Sequence, residues 1–198
     1  MKRIVVATQN KGKVEEIKKM LGDLPVEVKT MGEVGIDIDV EETGITFEEN
    51  AVIKAEAISK LVDALVIADD SGLEIDYLNK EPGVYSARYL GKDTPYEEKN
   101  QIIINRLVGV PKEQRTARFV CAMALCEKGK ETFVTRGTIE GYIGDHAEGN
   151  NGFGYDPIFF VDKLGTSVAN ISMEEKNKIS HRAKALYQVI EEIKKQLE

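Results

Sequence analysis

Two adjacent carboxylates, Asp69 and Asp70, are the residues of this chain best suited to metal-assisted chemistry. They follow the apolar run 64–67, which predicts a buried strand, and Ser71 with Gly72 predicts the turn that ends this strand. Open α/β sheets bind ligands at the carboxyl ends of their strands. Neighbouring anions repel unless a cation shares them, so the pair favours a hard cation such as Mg2+. The alternative is an ordinary acidic turn.

A polar loop between the first predicted strand (3–7) and the first predicted helix (14–21) has the character of a phosphate site. Its residues are Thr8, Gln9, Asn10, Lys11, Gly12 and Lys13. A helix N-terminus offers unpaired N–H groups and partial positive charge, and the two lysines add to both. The loop is not a Walker A motif, because Val14 follows Lys13 where that motif has Ser or Thr. The alternative is a polar loop without a ligand.

A second acidic turn, Glu41-Glu42, precedes a helix that a capping box at Thr46 and Glu49 predicts to run to about residue 63. Magnesium bound to phosphates usually needs only one or two protein carboxylates. Either glutamate could therefore be the second carboxylate beside Asp70, although a solvated charge pair is the alternative. Lys54, within this helix, is a phosphate-binding candidate only because these possible site residues lie near it in the chain.

Two further segments could contact a nucleotide. The glycine-rich loop 144–156 ends in Phe153, Gly154, Tyr155 and Asp156. Its glycines allow the backbone to approach a ligand closely, and Phe153 could stack on a planar base; alternatively, the aromatic rings anchor the loop to the core. The second segment surrounds the start of the final predicted helix and contains Lys176, His181 and Arg182. Cations there oppose the helix macrodipole, a conflict that a bound anion would relieve.

The order of elements predicts an α/β protein with a mixed sheet. Strands alternate with helices at both ends of the chain, a second capping box at Thr94 opens another helix, and a long hairpin (115–127 against 131–143) lies between. The length of 198 residues suits one domain, residues 1–198, or two lobes that share a core. Cys121 and Cys126 lack metal-ligand or CxxC spacing and are expected to be buried thiols.

Composition excludes several classes of partner. The formal net charge of −7 argues against a protein that coats nucleic acid. No apolar run approaches the roughly 20 residues of a membrane span. The apolar start of the chain is too short for a signal peptide, so a cytoplasmic location is expected.

Six segments in this order resemble the Ham1-like family of inosine triphosphate pyrophosphatases. The segments are Thr8-x-Asn10-x-x-Lys13, Glu41-Glu42-Thr43-Gly44 with Glu49-Asn50-Ala51, Ala68-Asp69-Asp70-Ser71-Gly72, Pro82-Gly83-x-Tyr85-Ser86-Ala87-Arg88, Phe153-Gly154-Tyr155-Asp156-Pro157 and Ser180-His181-Arg182. Each segment alone is a weak signal, but together they cover nearly the whole chain.

The resemblance implies an elongated, two-lobed α/β fold with a long, mixed, twisted sheet flanked by helices, a central cleft and assembly as a homodimer. It also implies magnesium-dependent hydrolysis of ITP, dITP and XTP to the monophosphate and pyrophosphate, which removes deaminated purines from the nucleotide pool. Two alternatives stay open: a related pyrophosphatase for other modified or standard nucleotides, and a nucleotide-binding module without catalysis. Binding of nucleic acid or of a membrane is not expected.

The resemblance also assigns roles to residues. The loop 8–13 is similar to the family's phosphate loop, although Gln9 stands where many relatives have Gly. Glu41 matches the metal-binding Glu, and Asp70 matches the metal-linked proton acceptor; Asp69 either joins the metal shell or tunes Asp70. The further matched substrate contacts are Lys54, Ser71, Phe153, Gly154, Tyr155, Asp156, Lys176, His181 and Arg182.

Overall fold

A seven-stranded sheet organises the chain, whose computed structural model describes residues 2–197. The strands are β1 (Lys2–Val6), β2 (Val26–Thr30), β3 (Leu65–Ile75), β4 (Thr116–Cys126), β5 (Phe133–Ile143), β6 (Phe159–Val161) and β7 (Thr166–Ser167). Their order is β2-β1-β3-β4-β5-β6-β7. β1 pairs in parallel with β2 and β3, whereas β6 pairs antiparallel with β5 and β7. The predicted α/β class with a mixed sheet is confirmed.

Five α-helices accompany the sheet within residues 2–197. They are α1 (Lys11–Leu21), α2 (Phe47–Ser59), α3 (Tyr96–Arg106), α4 (Met173–Ile179) and α5 (His181–Leu197). None of these described helices has the length and apolar composition of a membrane span.

The chain forms two compact units, each assembled from separate stretches of sequence. The first unit contains the described residues up to 70, together with 121–137 and those from 181 onward. The second unit contains residues 71–120 and 138–180. Helices α1, α2 and α5 therefore belong to the first unit, and α3 and α4 belong to the second. Strands β3, β4 and β5 contribute residues to both units.

The core of the first unit explains why α1 and α5 form. Along α5, Leu186, Val189, Ile190 and Ile193 recur at helical spacing and are buried. They cluster with Ile17 and Leu21 of α1 and with alternate residues of the strands, namely Ile4, Val6, Leu65, Ile67, Cys121, Met123 and Leu125. Burial of each large aliphatic side chain contributes about 1.5–3 kcal/mol, so this cluster stabilises both helices against the sheet.

The second unit has its own apolar core. Leu73 and Ile75 of β3 cluster there with Ile103 of α3 and with Leu107, the C-cap residue of that helix. The rings of Phe119 and Phe159 meet in the same cluster, with centroids 4.4 Å apart. Helix α3 is therefore anchored to the sheet by its apolar face.

Strand β3 is longer than the sequence predicted. The predicted turn at Ser71-Gly72 is wrong, because the strand continues to Ile75. Leu73 and Ile75 are fully buried, and the backbone N–H of Leu73 donates to Ser86 Oγ at 2.9 Å. Burial of these apolar residues outweighs the local preference of Ser-Gly for a turn. Since successive strand residues point to opposite faces, Asp69 and Asp70 lie on opposite sides of the sheet.

Several helix boundaries also differ from prediction. α1 begins three residues early, at Lys11, because Asn10 caps it. The capping box at Thr46 is confirmed, whereas the one at Thr94 is wrong. The hydroxyl of Thr94 instead donates to the carbonyl of Leu90 at 2.6 Å, and Pro95 occupies the N-cap of α3. Both cysteines are buried and free, as expected.

Strand β5 runs unusually close to the start of α5 at Gly137. A Cβ atom at this position would clash with the carbonyl oxygen of His181 and lie 2.8 Å from Ala185 N. Since both obstacles are backbone atoms, we expect Gly137→Ala to lower the free energy of unfolding by about 2 kcal/mol. Urea denaturation measures this effect. Gly32→Ala is the control, because the nearest atom to a Cβ there is the side-chain Oγ1 of Thr30, 4.0 Å away. Equal losses of stability in both variants would contradict the close approach.

Candidate active site

Asp69 is a buried anion matched by two cations. Its Oδ2 lies 2.9 Å from Lys13 Nζ of α1 and 3.5 Å from Arg182 Nε of α5. Burial by itself would raise the pKa of Asp69, but the charges of Lys13 and Arg182 outweigh it and hold that pKa well below its usual range. Asp69 is therefore ionised at neutral pH, and it holds two cations in place.

Arg182 extends this arrangement into a buried network of four charges. Its guanidinium also pairs with Glu16 of α1, and both side chains are almost fully buried. Burial opposes the charge of Arg182, but Asp69 and Glu16 raise its pKa further above its usual range. The thiol of Cys121 lies 3.9 Å from Asp69 Oδ2, where burial raises its pKa to about 12. The thiol stays neutral, so two anions balance two cations.

Asp70 has different partners on the other face of β3. Its Oδ2 accepts a hydrogen bond from Asn50 Nδ2 at 3.1 Å, and its Oδ1 lies 3.9 Å from Lys54 Nζ. Lys54 makes a closer contact with Glu42, at 2.6 Å. Burial raises the pKa of Asp70 to about 6, and the charge of Glu42 adds to this effect while Lys54 opposes it. Asp70 is therefore a carboxylate that can exchange a proton near neutral pH.

Lys54 is a partly buried cation close to several carboxylates. Burial alone would lower the pKa of Lys54, but the charges of Asp69, Asp70 and Glu42 raise it above its usual value. Phosphate binding by Lys54 stays a prediction.

Asn50 is a structural member of this site for which no role is predicted from the sequence. It is completely buried, donates to Asp70 through Nδ2 and accepts the backbone N–H of Gly44 through Oδ1 at 2.8 Å. A Cβ at Gly44 would lie only 2.6 Å from Glu49 Cβ, so the 41–44 turn approaches α2 closely. The sequence does contain one signal for this role: Asn50 carries a polar amide beside Ala51, on the apolar face of a helix.

The predicted phosphate loop forms the N-terminus of α1. Asn10 Oδ1 accepts the backbone N–H of Lys13 at 3.2 Å, and Thr8 Oγ1 accepts that of Asn10 at 3.2 Å. Gln9 donates its side-chain amide to the Ile38 carbonyl at 3.4 Å. Lys11 is exposed at the helix start. The loop therefore has the N-terminal geometry that favours an anion, and anion binding stays a prediction.

In the second unit, the segment Phe153–Asp156 forms a compact loop closed by its own carboxylate. Asp156 Oδ2 accepts the backbone N–H of Phe153 at 3.0 Å and pairs with Lys176 Nζ at 2.7 Å. Lys176 Nζ also lies 4.7 Å from the centre of the Phe153 ring. Gly152 and Gly154 have φ values of +74° and +68°, which residues that carry a side chain rarely adopt.

The remaining predicted residues complete the assignment to the two units. His181 and Arg182 are the first residues of α5, as predicted, and both are buried. Glu41 is exposed, and Ser71 is half-buried at the start of the second unit. The first unit brings together Lys13, Glu42, Lys54, Asp69, Asp70 and Arg182. The second unit brings together Phe153, Asp156 and Lys176.

The donor set of the first unit fits a magnesium ion that also binds phosphate oxygens. Within residues 2–197, no three His, Cys, Asp or Glu side chains are grouped to enclose a metal ion. Asp70 and Glu42 nevertheless approach the same ammonium group, so two carboxylates already share one cation. Two carboxylates suffice when phosphates supply further ligands. Asp69 is less suited to a metal, because Lys13 and Arg182 already neutralise it.

Comparisons with known proteins identify relatives that are similar over nearly the whole chain. A protein of Thermoanaerobacter sp. (strain X514) named dITP/XTP pyrophosphatase is 52% identical over 196 residues, which cover 99% of this chain and 98% of the relative. A Bacillus subtilis (strain 168) protein of the same name is 50% identical over 186 residues, covering 94% of each chain.

A solved structure is also similar to this chain. The Staphylococcus aureus Ham1 protein superposes with a TM-score of 0.88 at 44% identity, covering 98% of this chain and 100% of that protein. The family model described as Ham1 family matches residues 4–192. The chain therefore belongs to the Ham1 family.

Proposed function

We propose that this chain hydrolyses ITP, dITP and XTP to the monophosphate and pyrophosphate with Mg2+, and thereby removes deaminated purines from the cytoplasmic nucleotide pool. The enzyme class is nucleoside triphosphate pyrophosphatase, to which the relatives named dITP/XTP pyrophosphatase belong. The observation that carries the proposal is the different environment of the two aspartates. Asp69 organises cations, whereas Asp70 is a buried carboxylate held by Asn50 beside Lys54.

Asp70 is the proposed general base. Asn50 fixes one carboxylate oxygen, which leaves the other to orient a water molecule and accept its proton. The resulting hydroxide attacks the α-phosphorus, the bond to the β-phosphate oxygen breaks, and pyrophosphate leaves in one piece. A pKa of about 6 leaves most of the carboxylate ionised at neutral pH while keeping it basic enough for this transfer.

Cations of the first unit position the triphosphate in this proposal. Lys13 and Lys54 bind phosphate oxygens beside the amide groups of residues 8–13, and Asp69 keeps Lys13 in place. Asp70 and one carboxylate of the Glu41-Glu42 turn would hold Mg2+. When bound, this ion supplies positive charge that offsets the charge developing on the phosphate oxygens.

The proposed base-binding groups are the Phe153–Asp156 loop and the His181-Arg182 pair, whereas Lys176 is proposed to bind phosphate oxygens with Lys13 and Lys54. Hypoxanthine and xanthine carry an oxygen at position 6, which accepts hydrogen bonds, whereas adenine carries an amino group there. Donors arranged for the oxygen would lose their partner when adenine binds, and this loss discriminates against ATP. Phe153 offers a ring face for stacking on the base.

A substrate panel with product identification tests the function. The protein is incubated with Mg2+ and ITP, dITP, XTP, GTP, ATP or dUTP, and products are resolved by phosphorus NMR. We expect IMP and pyrophosphate from ITP, with ITP, dITP and XTP preferred over the other nucleotides. Release of single orthophosphates would overturn the proposed bond cleavage. Preference for another nucleotide would favour the related pyrophosphatase, and binding without turnover would favour the binding module.

A pair of matched variants distinguishes the two glutamates as metal ligands. Glu42 shares Lys54 with Asp70, whereas Glu41 is exposed one residue earlier. We expect Glu42→Gln to raise the Mg2+ concentration needed for half-maximal turnover by about tenfold, and Glu41→Gln to change it less. Titration of activity with Mg2+ measures both. The reverse order would assign the metal to Glu41, as the family resemblance implies.

The whole chain is proposed to act as one catalytic domain that assembles as a homodimer. Exposed aromatic and aliphatic side chains of the second unit, Tyr77, Tyr85 and Leu90, support an interface between copies. The molar mass in solution, measured by light scattering, tests the assembly.

A further inference from the structure

Helix α3 contacts the Phe153–Asp156 loop through a residue that has no part in the proposed chemistry. Asn100 is 4% exposed, and its Nδ2 donates to the carbonyl oxygen of Gly154 at 3.1 Å. The donated bond fixes the orientation of the amide, because the opposite orientation would place Oδ1 against the carbonyl oxygen. Oδ1 itself is buried, and none of the described residues, 2–197, gives it a hydrogen bond. Burial of an unpaired acceptor is unfavourable, so this position is not optimised for stability alone.

A neighbouring residue of the loop is fixed independently. The hydroxyl of Tyr155, which is 4% exposed, donates to the carbonyl oxygen of Ser86 at 2.6 Å. The Tyr155 ring meets the edge of Tyr96 of α3, with centroids 5.2 Å apart and planes at 88°. Gly154 therefore lies between a hydrogen bond to α3 and an aromatic residue that also packs on α3.

The same helix holds the segment that Tyr155 contacts. Lys99 is fully buried, donates to the carbonyl of Ala87 at 2.9 Å and lies 4.8 Å from the centre of the Tyr96 ring. Consecutive residues of α3 thus bind two different segments, the loop through Asn100 and the segment 86–87 through Lys99. Because Tyr155 joins those two segments, the three contacts form a closed circuit that limits the positions available to the loop.

We propose that Asn100 is a positioning residue that sets nucleobase selectivity by fixing the carbonyl of Gly154, with Tyr155 as the second constraint on the same loop. This inference rests on the proposed base-binding role of residues 153–156. Loop groups discriminate between bases only when they are held in one geometry. Asn100 therefore influences the choice of nucleotide through the loop. It does not alter the proposed general base, Asp70, or the positions of the phosphate-binding lysines.

The variants Asn100→Ala and Asn100→Asp test the proposal. Asp keeps the size of the side chain but removes the N–H donor. We expect both to lower the ratio of kcat/KM for ITP to kcat/KM for ATP by about tenfold, the effect of one lost hydrogen bond. The change should appear in KM, with the kcat for ITP conserved within about threefold, because the chemical step is not altered. Titration calorimetry with IMP should show the same loss of affinity without any turnover.

Asn105→Ala is the matched control, since Asn105 is exposed on the same helix. Its Oδ1 accepts a hydrogen bond from the exposed side chain of Gln101, at 3.0 Å. Tyr155→Phe removes the second constraint and should reduce the ITP/ATP ratio in the same direction. If thermal denaturation shows that the Asn100 variants do not fold, Tyr155→Phe tests the positioning proposal in their place.

The outcomes separate this inference from the proposed function. If the wild type does not hydrolyse ITP to IMP and pyrophosphate, the proposed function fails. If it does, an unchanged ratio in folded Asn100→Asp overturns the positioning role, and so does an unchanged ratio in Tyr155→Phe when no Asn100 variant folds. A uniform fall in kcat for ITP and ATP would also overturn it, because that result would indicate an effect on catalysis.

Discussion

Replacing Asp70 with Asn is expected to reduce the turnover of ITP by about 10³-fold, the range that loss of a general base produces. The amide keeps the shape of the side chain and can still accept the hydrogen bond from Asn50, but it cannot take a proton from water. The stability of the folded protein should not fall, since a neutral group replaces a carboxylate whose ionisation is opposed by burial. We expect the thermal midpoint to stay equal or to rise.

Steady-state kinetics with ITP and calorimetric unfolding measure the two effects of Asp70→Asn. Asp63→Asn, the same change at an exposed position seven residues earlier, is the control and should retain full turnover. Turnover of Asp70→Asn within tenfold of the wild type would exclude Asp70 as the base. A large loss of stability would instead show that Asp70 has mainly a structural role.

The neighbouring substitution, Asp69→Asn, is expected to have the opposite balance of effects. Its carboxylate is the shared partner of Lys13 and Arg182, and Arg182 is 2% exposed. Removing one member of a buried ion group leaves charge without compensation and costs about 3–5 kcal/mol. Because Glu16 still pairs with Arg182, we expect about 3 kcal/mol. Activity should fall as well, since Lys13 loses the contact that holds it.

Urea denaturation measures the change in the free energy of unfolding for Asp69→Asn, and Asp63→Asn again provides the exposed control. A loss below about 1 kcal/mol would mean that Lys13 and Arg182 find other partners at little cost. Equal losses of stability in Asp69→Asn and Asp70→Asn would contradict the division of roles between the two faces of β3.

The sequence predicted the elements whose signals are local. The capping box at Thr46 and Glu49 is present, and the amphipathic spacing of α5 matches its buried face. The loop 8–13 does lead into a helix, which begins at Lys11 directly after its capping residue Asn10. Helix caps and periodicity depend on residues within a few positions, so the sequence contains the information directly.

Features that depend on distant residues were not predictable in the same way. The turn signal at Ser71-Gly72 is local, whereas the continuation of β3 depends on burial of Leu73 and Ile75 in a core assembled from other elements. For this reason the sequence placed the two carboxylates in one turn, although the strand directs them to opposite faces. The partners that distinguish them come from α1, α2 and α5, and no spacing in the sequence connects these helices.

The ion pair between Glu16 and Arg182 joins residues 166 positions apart. During synthesis, α1 leaves the ribosome before α5. Glu16 and Asp69 therefore lack their partner Arg182 until α5 has been made. Contacts of such separation form late and slowly. The first unit therefore obtains its complete set of balanced charges only after α5 has been synthesised. A chain that lacks α5 has no Arg182 and cannot assemble this charge network.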